Sequence, residues 1–417
     1  MGKKVRRISV VLAIAALVGA VSVTAAFGSQ RATPGLTSTS ILIGGTFPLT
    51  GVASLYKTIP AAEKAYFDYI NDHGGIFKRK ITFNILDDAY DPSKTVPLTQ
   101  QLVEQDKVFA VYGSLGTAPN LAIWSYLNGK KVPQIGIATG DSYWGFSYKK
   151  YPWTVAFQPD YPGESKIYGK YILANTPNAK VGVLYQNDAY GKNYYAGLRV
   201  GLGAKAKTMI VSAQSYDVTQ TSLSQQILAL KAAGADTFVI FATPTPTITS
   251  LVTATKVGWS PAVFINNVSA NRLFLLAAAA AGATVDGVIS TNYLLSSTYA
   301  PQANTPGMKL AGEILAKYAP SLQATFAKGD ANVMYGLAQG WTFVNSLYRA
   351  GKNPTRASLV NAYKTLNTTK NPFVYPGIKL QTSATDNFPI EQEILIKWDG
   401  GKTGDWTPFG KLYSGVR

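Results

Sequence analysis

Apolar positions along the chain alternate between two patterns: short unbroken runs, and longer stretches with an apolar residue every three or four positions. Residues 41–47 form a run of the first kind, ending at the turn-forming Pro48-Leu-Thr-Gly51. Ala62, Ala65, Tyr66, Tyr69 and Ile70 then fall on one stripe at helical spacing, and Gly74-Gly75 close the predicted helix. Residues 81–86, 108–112 and 134–137 read as further strands, with a helix start at Asp91-Pro92 and a helix near 121–127 between them. Strands alternating with helices predict a mostly parallel sheet covered on both faces.

The alternation then begins again. A proline-bearing connection, Phe157-Gln-Pro-Asp-Tyr-Pro-Gly163, precedes strands at 181–185, 209–213, 237–241 and 263–265, with 288–290 closing the series. Helices at 222–233 and 248–257 belong to it. Its clearest unit is 180–203: a strand, a polar loop carrying Asp188 and Tyr190, and an amphipathic helix opened by Gly191. After 291–293 the pattern turns helical (308–318, 332–350, 356–366), and 393–398 is a last strand.

The expected fold class is therefore α/β, with two doubly wound, Rossmann-like lobes joined by a multi-strand hinge. Lobe one is expected over 40–157 and 294–371, and lobe two over 162–290 and 378–412. The crossings fall near 157–162, 290–294 and 371–378. A length of 417 residues agrees with two cores rather than one. Two lobes leave a cleft, and concave sites bind ligands.

Lys3, Lys4, Arg6 and Arg7 precede an apolar run over 8–23 and small residues around Ala26. That is the order of a secretory signal peptide, expected over 1–28 and cleaved on export by the general route, to a secreted or periplasmic location. The chain has no cysteine, which excludes disulfides, thiol catalysis, thiolate metal sites and a lipid-anchoring cysteine. The alanine-rich stretch 273–285 is too short to span a bilayer and reads as a buried helix. The formal charge of +17 becomes +13 when the four leader cations are subtracted. The remaining cations are scattered in pairs such as Lys130-Lys131 and Lys149-Lys150, so a solvated basic surface is expected and no nucleic-acid partner.

Catalytic chemistry finds little to stand on. The sole histidine, His73, sits in a helix-ending turn, Asn71-Asp-His-Gly-Gly75. Asp87 and Asp88 are adjacent on an extended segment, so they point to opposite sides. No phosphate loop, dinucleotide fingerprint or metal-binding helix occurs. No enzyme activity, cofactor or metal is expected.

Five short motifs in one order add a resemblance: Gly45-Thr-Phe-Pro-Leu-Thr-Gly51, Ile70-Asn-Asp-His-Gly-Gly-Ile76, Asp87-Asp88 with Asp91-Pro92, Val111-Tyr-Gly-Ser114 and Tyr185-Gln-Asn-Asp-Ala-Tyr-Gly191. With them the chain resembles the periplasmic solute-binding proteins of the leucine/isoleucine/valine-binding family, over roughly 41–409. The resemblance implies the type I periplasmic binding fold and a monomeric receptor that hands a small-molecule solute to the membrane permease of an ABC transporter. It puts a carboxylate-binding hydroxyl at Thr117 and a second loop at Ala138 and Thr139, where an ungapped match gives Gly140 instead. Tyr56 and Tyr190 match aromatic walls, which Tyr143 and Trp144 extend. The tyrosine and glutamate that grip an amino acid's ammonium fall on Pro244 and Val268, or on Asn267 with a slip of one residue. Neither alignment supplies a negative charge. A small organic acid or a neutral amide-like solute is therefore expected, with branched-chain amino-acid binding, or ligand sensing for a signalling partner, as alternatives.

Overall fold

The computed structural model describes residues 33–414, so the expected leader at 1–28 lies outside the described residues. The first sheet contains β1 (Ser40–Phe47), β2 (Lys80–Asp87), β3 (Ala110–Tyr112), β4 (Gln134–Ile137) and β5 (Thr154–Ala156), all parallel, in the order β2-β1-β3-β4-β5. The second sheet begins with β6 (Val181–Gln186), β7 (Ile210–Tyr216), β8 (Thr237–Phe241), β9 (Ala262–Ile265) and β10 (Ile289–Asn292), also parallel. Its edge is extended by antiparallel β11 (Gln392–Asp399) and β12 (Asp405–Ser414), giving β12-β11-β10-β9-β8-β6-β7. Each five-strand parallel set has the same order, second-first-third-fourth-fifth. Strand order therefore reverses between β1 and β3 and again between β6 and β8, and in open α/β sheets ligands bind beyond the strand ends at such points.

Period-2 alternation places successive side chains of each strand in opposite layers. In β1, Ile41 and Ile43 join the main core with Phe67 and Tyr112, while Leu42 packs on the opposite layer of Leu102, Val111, Ile123 and Leu127. In the second sheet Val181, Val183 and Phe241 meet Tyr194 on one face, and Leu184, Phe238 and Ile240 meet Leu230 on the other. Helices after residue 306 add Ala311, Leu337 and Phe343 to the first sheet's core.

Six helices border the space between the sheets or support its edges: α1 (Thr58–Asp72), α2 (Thr117–Gly129), α3 (Tyr161–Asn175), α4 (Ala189–Leu202), α5 (Pro244–Lys256) and α6 (Ala331–Ala350). Two begin earlier than the sequence predicts. Asp188 caps α4, accepting from Gly191 N at 3.3 Å, so Tyr190 stands in the first helical turn rather than in a loop. Gly191 is needed for a different reason: a Cβ there would lie 2.1 Å from the carbonyl oxygen of Gln186, where β6 meets the helix. The second helix, α5, starts at Pro244 instead of 248, because proline lacks only an N–H that a first turn cannot use.

Four of the described strands were not anticipated, among them the antiparallel pair Asn367–Thr368 and Leu380–Gln381. β5 has three residues, and β12 contains Pro408 and Gly410 on an edge with a register shift opposite Ile394/Leu395. Asp87 and Asp88 shape a loop. Asp87 accepts from the backbone of Leu49, Thr50 and Ala89, while Asp88 accepts from Tyr90 N and the Thr95 hydroxyl. His73 caps α1, its Nδ1 2.7 Å from Tyr69 O. Among the described residues no helix is long and apolar enough to cross a membrane.

Candidate functional site

A cavity opens where the C-terminal ends of both parallel sheets face each other. Tyr56 follows β1, Tyr90 follows β2, Leu115 and Gly116 follow β3, Ala138 follows β4 and Gln158 follows β5. From the second sheet come Tyr190 after β6, Thr243 after β8, Asn267 and Val268 after β9, and Tyr293 after β10. Tyr161 at the start of α3 and Ala331, Asn332 and Tyr335 of α6 complete the wall with Ile59, Asn271 and Leu294. The space between the walls is about 620 Å³, open solvent at its mouth included.

The structure brings Tyr56, Ala138, Tyr190 and Asn267 together in this wall. Tyr56 reaches across the cleft, its hydroxyl donating to Val268 O at 3.2 Å. Tyr190 is buried edge-on to the rings of Tyr161 and Tyr194, and its hydroxyl accepts from Asn266 Nδ2 at 2.5 Å. Asn267 donates from its backbone N–H to Glu164 and from Nδ2 to Thr291 O.

The two threonines and the second aromatic pair fall elsewhere. Thr117 is the first residue of α2, with Gly116 as its N-cap, and does not cap the helix. Its hydroxyl is buried against that of Thr139, the two oxygens 2.5 Å apart, and neither residue is in the wall. Tyr143 is 51% exposed and leans on Trp124, because the Asp141 carboxylate fixes its backbone N–H at the start of a short turn of helix. Trp144 is buried with Trp124, Ile137 and Phe388 in a separate small core. Asp188 is occupied as the α4 cap and by Gln186 Nε2 at 2.7 Å, and burial pushes its carboxyl up.

No residue of the wall carries a formal charge, yet the field inside is not neutral. Helices begin where strands end, so α2, α3, α4, α5 and α6 all open toward the cavity, and helix starts are positive. Three of these starts hold an acid: Asp160 caps α3, Asp188 caps α4 and Asp330 caps α6. No side chain caps α2 or α5. In α5, Pro244 and Pro246 leave only Thr245 with an N–H in the first three positions. In α2, both Thr117 and Ala118 keep theirs, and first-turn N–H groups have no acceptor inside a helix. An uncapped helix start thus meets the wall beside Gly116. Its φ of 103° and a Cβ position 2.5 Å from the Tyr90 ring require glycine, which lets the backbone come to the surface.

Six tyrosines line the cavity: Tyr56, Tyr90, Tyr161, Tyr190, Tyr293 and Tyr335. Burial pushes every one of these phenols up, so they stay protonated; Tyr56 and Tyr335 already donate within the protein. Below the second-sheet wall lies Glu164, fully buried. It accepts from the Tyr168 and Tyr194 hydroxyls at 2.6 Å each and from Asn267 N at 2.7 Å. Its carboxyl is pushed up to about 7, by desolvation above all. Glu393, bonded to Thr291 at 2.7 Å, is pushed up by desolvation and then by the nearby Glu164. Neither acid is in the wall, and among the described residues no group of three His, Cys, Asp or Glu is placed to hold a metal ion.

Several wall residues carry no motif in the sequence, notably Tyr90, Gln158, Tyr161, Asn271, Asn332 and Tyr335. Their common signal is position just past a strand end or at a helix start, which the alternation of strands and helices along the chain already marks.

Bonds across the cleft tie its two flanks. Asn193 Nδ2 donates to Asp141 Oδ2 at 3.1 Å while its Oδ1 accepts from Ser142 Oγ at 2.7 Å. On the other flank Asn271 Nδ2 donates to Asp330 Oδ1 at 2.7 Å.

The family described as periplasmic binding protein matches residues 40–403. A curated relative, "Leu/Ile/Val-binding protein homolog 3" of Brucella melitensis, is 26% identical over 198 residues, 47% of this chain and 52% of that protein. The chain thus spans about half the length of the curated relatives it matches. Among solved structures, a branched chain amino acid ABC transporter protein from Thermus thermophilus with bound valine superimposes with a TM-score of 0.77 at 17% identity, covering 91% of this chain and 97% of that one. A fatty acid ABC transporter substrate-binding protein from Thermomonospora curvata gives 0.76 at 20% identity, covering 92% and 95%. These likenesses show the type I periplasmic binding fold, and the chain belongs to the periplasmic binding protein family.

Proposed function

We propose that this periplasmic binding protein is an extracytoplasmic receptor of an ABC importer, capturing a small organic acid, or a neutral amide-like solute, between its lobes and delivering it to a permease. The observation that carries the ligand class is the wall itself: six tyrosines, four side-chain amides and no formal charge, with an uncapped helix start at Gly116. A carboxylate gains from N–H donors and a helix dipole without needing a cation. An ammonium group finds no formal negative charge in that wall. Glu164, below it, is already bonded to three donors. An ionised group buried without a partner costs about 3–5 kcal/mol, which weighs against the α-amino acid seen with the Thermus relative and for the acid named for the Thermomonospora one.

Capture is binding without chemistry. In this reading the solute's negative end meets the first N–H groups of α2, its body lies among the tyrosines, and Tyr190 and Asn267 are brought over it by closure. The hinge would consist of the segments near 157–162, 290–294 and 371–378, where the chain passes between the lobes. A ligand favours the closed form only through contacts the open form lacks. Tyr56 to Val268 and Asn193 to Asp141 and Ser142 are contacts of that kind.

The test is a thermal-shift screen of the exported chain against aliphatic and aromatic acids, primary amides and the branched-chain amino acids, since a ligand that binds only the folded state raises the midpoint by mass action. Stabilisation by acids or amides but not by leucine, isoleucine or valine is expected. The reverse result would overturn the ligand class and leave the receptor role standing.

A further inference from the structure

We infer that Gln158 is a specificity-determining residue of this cavity, selecting solutes that present a second hydrogen-bond acceptor besides the carboxylate. The inference rests on the organic-acid reading above. Four amide side chains reach the wall, and three of them commit one N–H of their N–H₂ group to the protein. Asn267 Nδ2 donates to Thr291 O, Asn271 Nδ2 to Asp330 Oδ1, and Asn332 Nδ2 to Leu55 O. Gln158 differs. Its Oε1 accepts from the Tyr335 hydroxyl at 3.0 Å, and among the described residues its Nε2 donates to nothing.

The side chain is held rather than loose. Gln158 is only 4% exposed, and the Tyr335 ring meets Phe157, the preceding residue, edge-on at 5.2 Å and 89°. One end of the amide is therefore anchored from α6, which leaves the other as an oriented donor in a mostly apolar wall. A buried donor without an acceptor is destabilising, and a site built around one discriminates against ligands that cannot satisfy it. The acceptor it fits is uncharged or weakly basic: a keto or amide oxygen, a ring hydroxyl, or an aromatic ring nitrogen. Gln158 also lies on the segment by which the chain leaves β5 for α3 and the second sheet, so an acceptor bonded there touches the connection between lobes directly.

Isothermal titration of the exported chain with isosteric acid pairs tests this: benzoate against pyridine-3-carboxylate and pyridine-4-carboxylate, and pentanoate against 4-oxopentanoate. The wild type should bind at least one acceptor-bearing member about five- to tenfold more tightly than its partner, the worth of one hydrogen bond. Gln158→Met and Gln158→Leu, both removing the donor without adding charge, should bring that preference to within about twofold. Tyr335→Phe, which keeps Gln158 but frees its anchor, should give an intermediate preference. This holds the test open if a Gln158 variant folds poorly, as judged by its melting midpoint. A wild-type chain with no preference, or a preference surviving in both Gln158 variants, overturns the assignment while leaving the organic-acid reading intact. If none of the acids binds, that reading falls and this inference falls with it.

Discussion

Along the first sheet the cavity meets an uncapped helix start at Gly116 and a small side chain at Ala138. Along the second it meets helices whose starts hold Asp160 or Asp188, or are stripped of N–H groups by Pro244 and Pro246. The two sheets have the same strand order, so topology does not set the sides apart. Capping does. On the first side α2 keeps its dipole while Asp330 caps α6, and on the second side Asp160 and Asp188 cap α3 and α4, so an acid bound as proposed would turn its charge toward Gly116. Thr243, Asn267, Val268 and Tyr293 of the second side would then face the rest of the solute.

The most severe way to break that asymmetry is to charge the second side. Val268→Glu, at a wall position whose carbonyl already receives Tyr56, should weaken binding of any acid found in the screen by about 100-fold or more, the scale of about 3–5 kcal/mol for a buried unpaired charge. Titration calorimetry reads the change. An acid that binds the variant as tightly as the wild type does not occupy this cavity.

A second test concerns the acid already stored beneath that side. Folding raises the Glu164 carboxyl from an ordinary value near 4.5 to about 7, so the folded state holds its proton more tightly than the unfolded chain. Stability from this group is fully present below about pH 4.5 and is lost as pH rises through about 7, on the order of 3 kcal/mol in all. Denaturant unfolding across that window should show the fall, and Glu164→Gln should reduce it, the remainder coming from Glu393 and Glu391, whose carboxyls are also pushed up. An unchanged slope in the variant would move the titrating group elsewhere.

The smallest effect is expected where the two sides join. Asn193→Ala removes the bonds to Asp141 and Ser142 and should weaken solute affinity a few-fold, about 1 kcal/mol, through a faster off-rate. Affinity unchanged with the off-rate would mean that this flank does not contribute to closure.

Strand and helix alternation made the two sheets legible, because a short, nearly continuous apolar run such as 238–241, bounded by turn residues, suits a strand buried on both faces. The three-residue β5 and the proline-containing β12 were not legible, since neither has enough residues in pattern to stand out. Within the candidate site, Tyr56, Ala138, Tyr190 and Asn267 came from the family resemblance, and they lie in one wall. The direction of a hydroxyl was not legible: Thr117 and Thr139 turn toward each other, a choice fixed by neighbouring loops from two different strands. Aromatic residues were the hardest, because a tyrosine in a cavity and one in a core have the same local sequence. Tyr90 illustrates this, lying just past β2 with a φ of 65° that only the folded loop reveals. Tyr143 is the reverse case, an aromatic next to a candidate loop that faces solvent.

Apart from Leu115 and Ala138, which bridge each other, and Leu294, which bridges Val374, the wall residues lie outside the strand pairs and can be exchanged without breaking one. The framework and the chemistry of the pocket are thus separately mutable, so a lineage, or an engineer, can re-line this cavity for a new solute while leaving the sheets that support it unchanged.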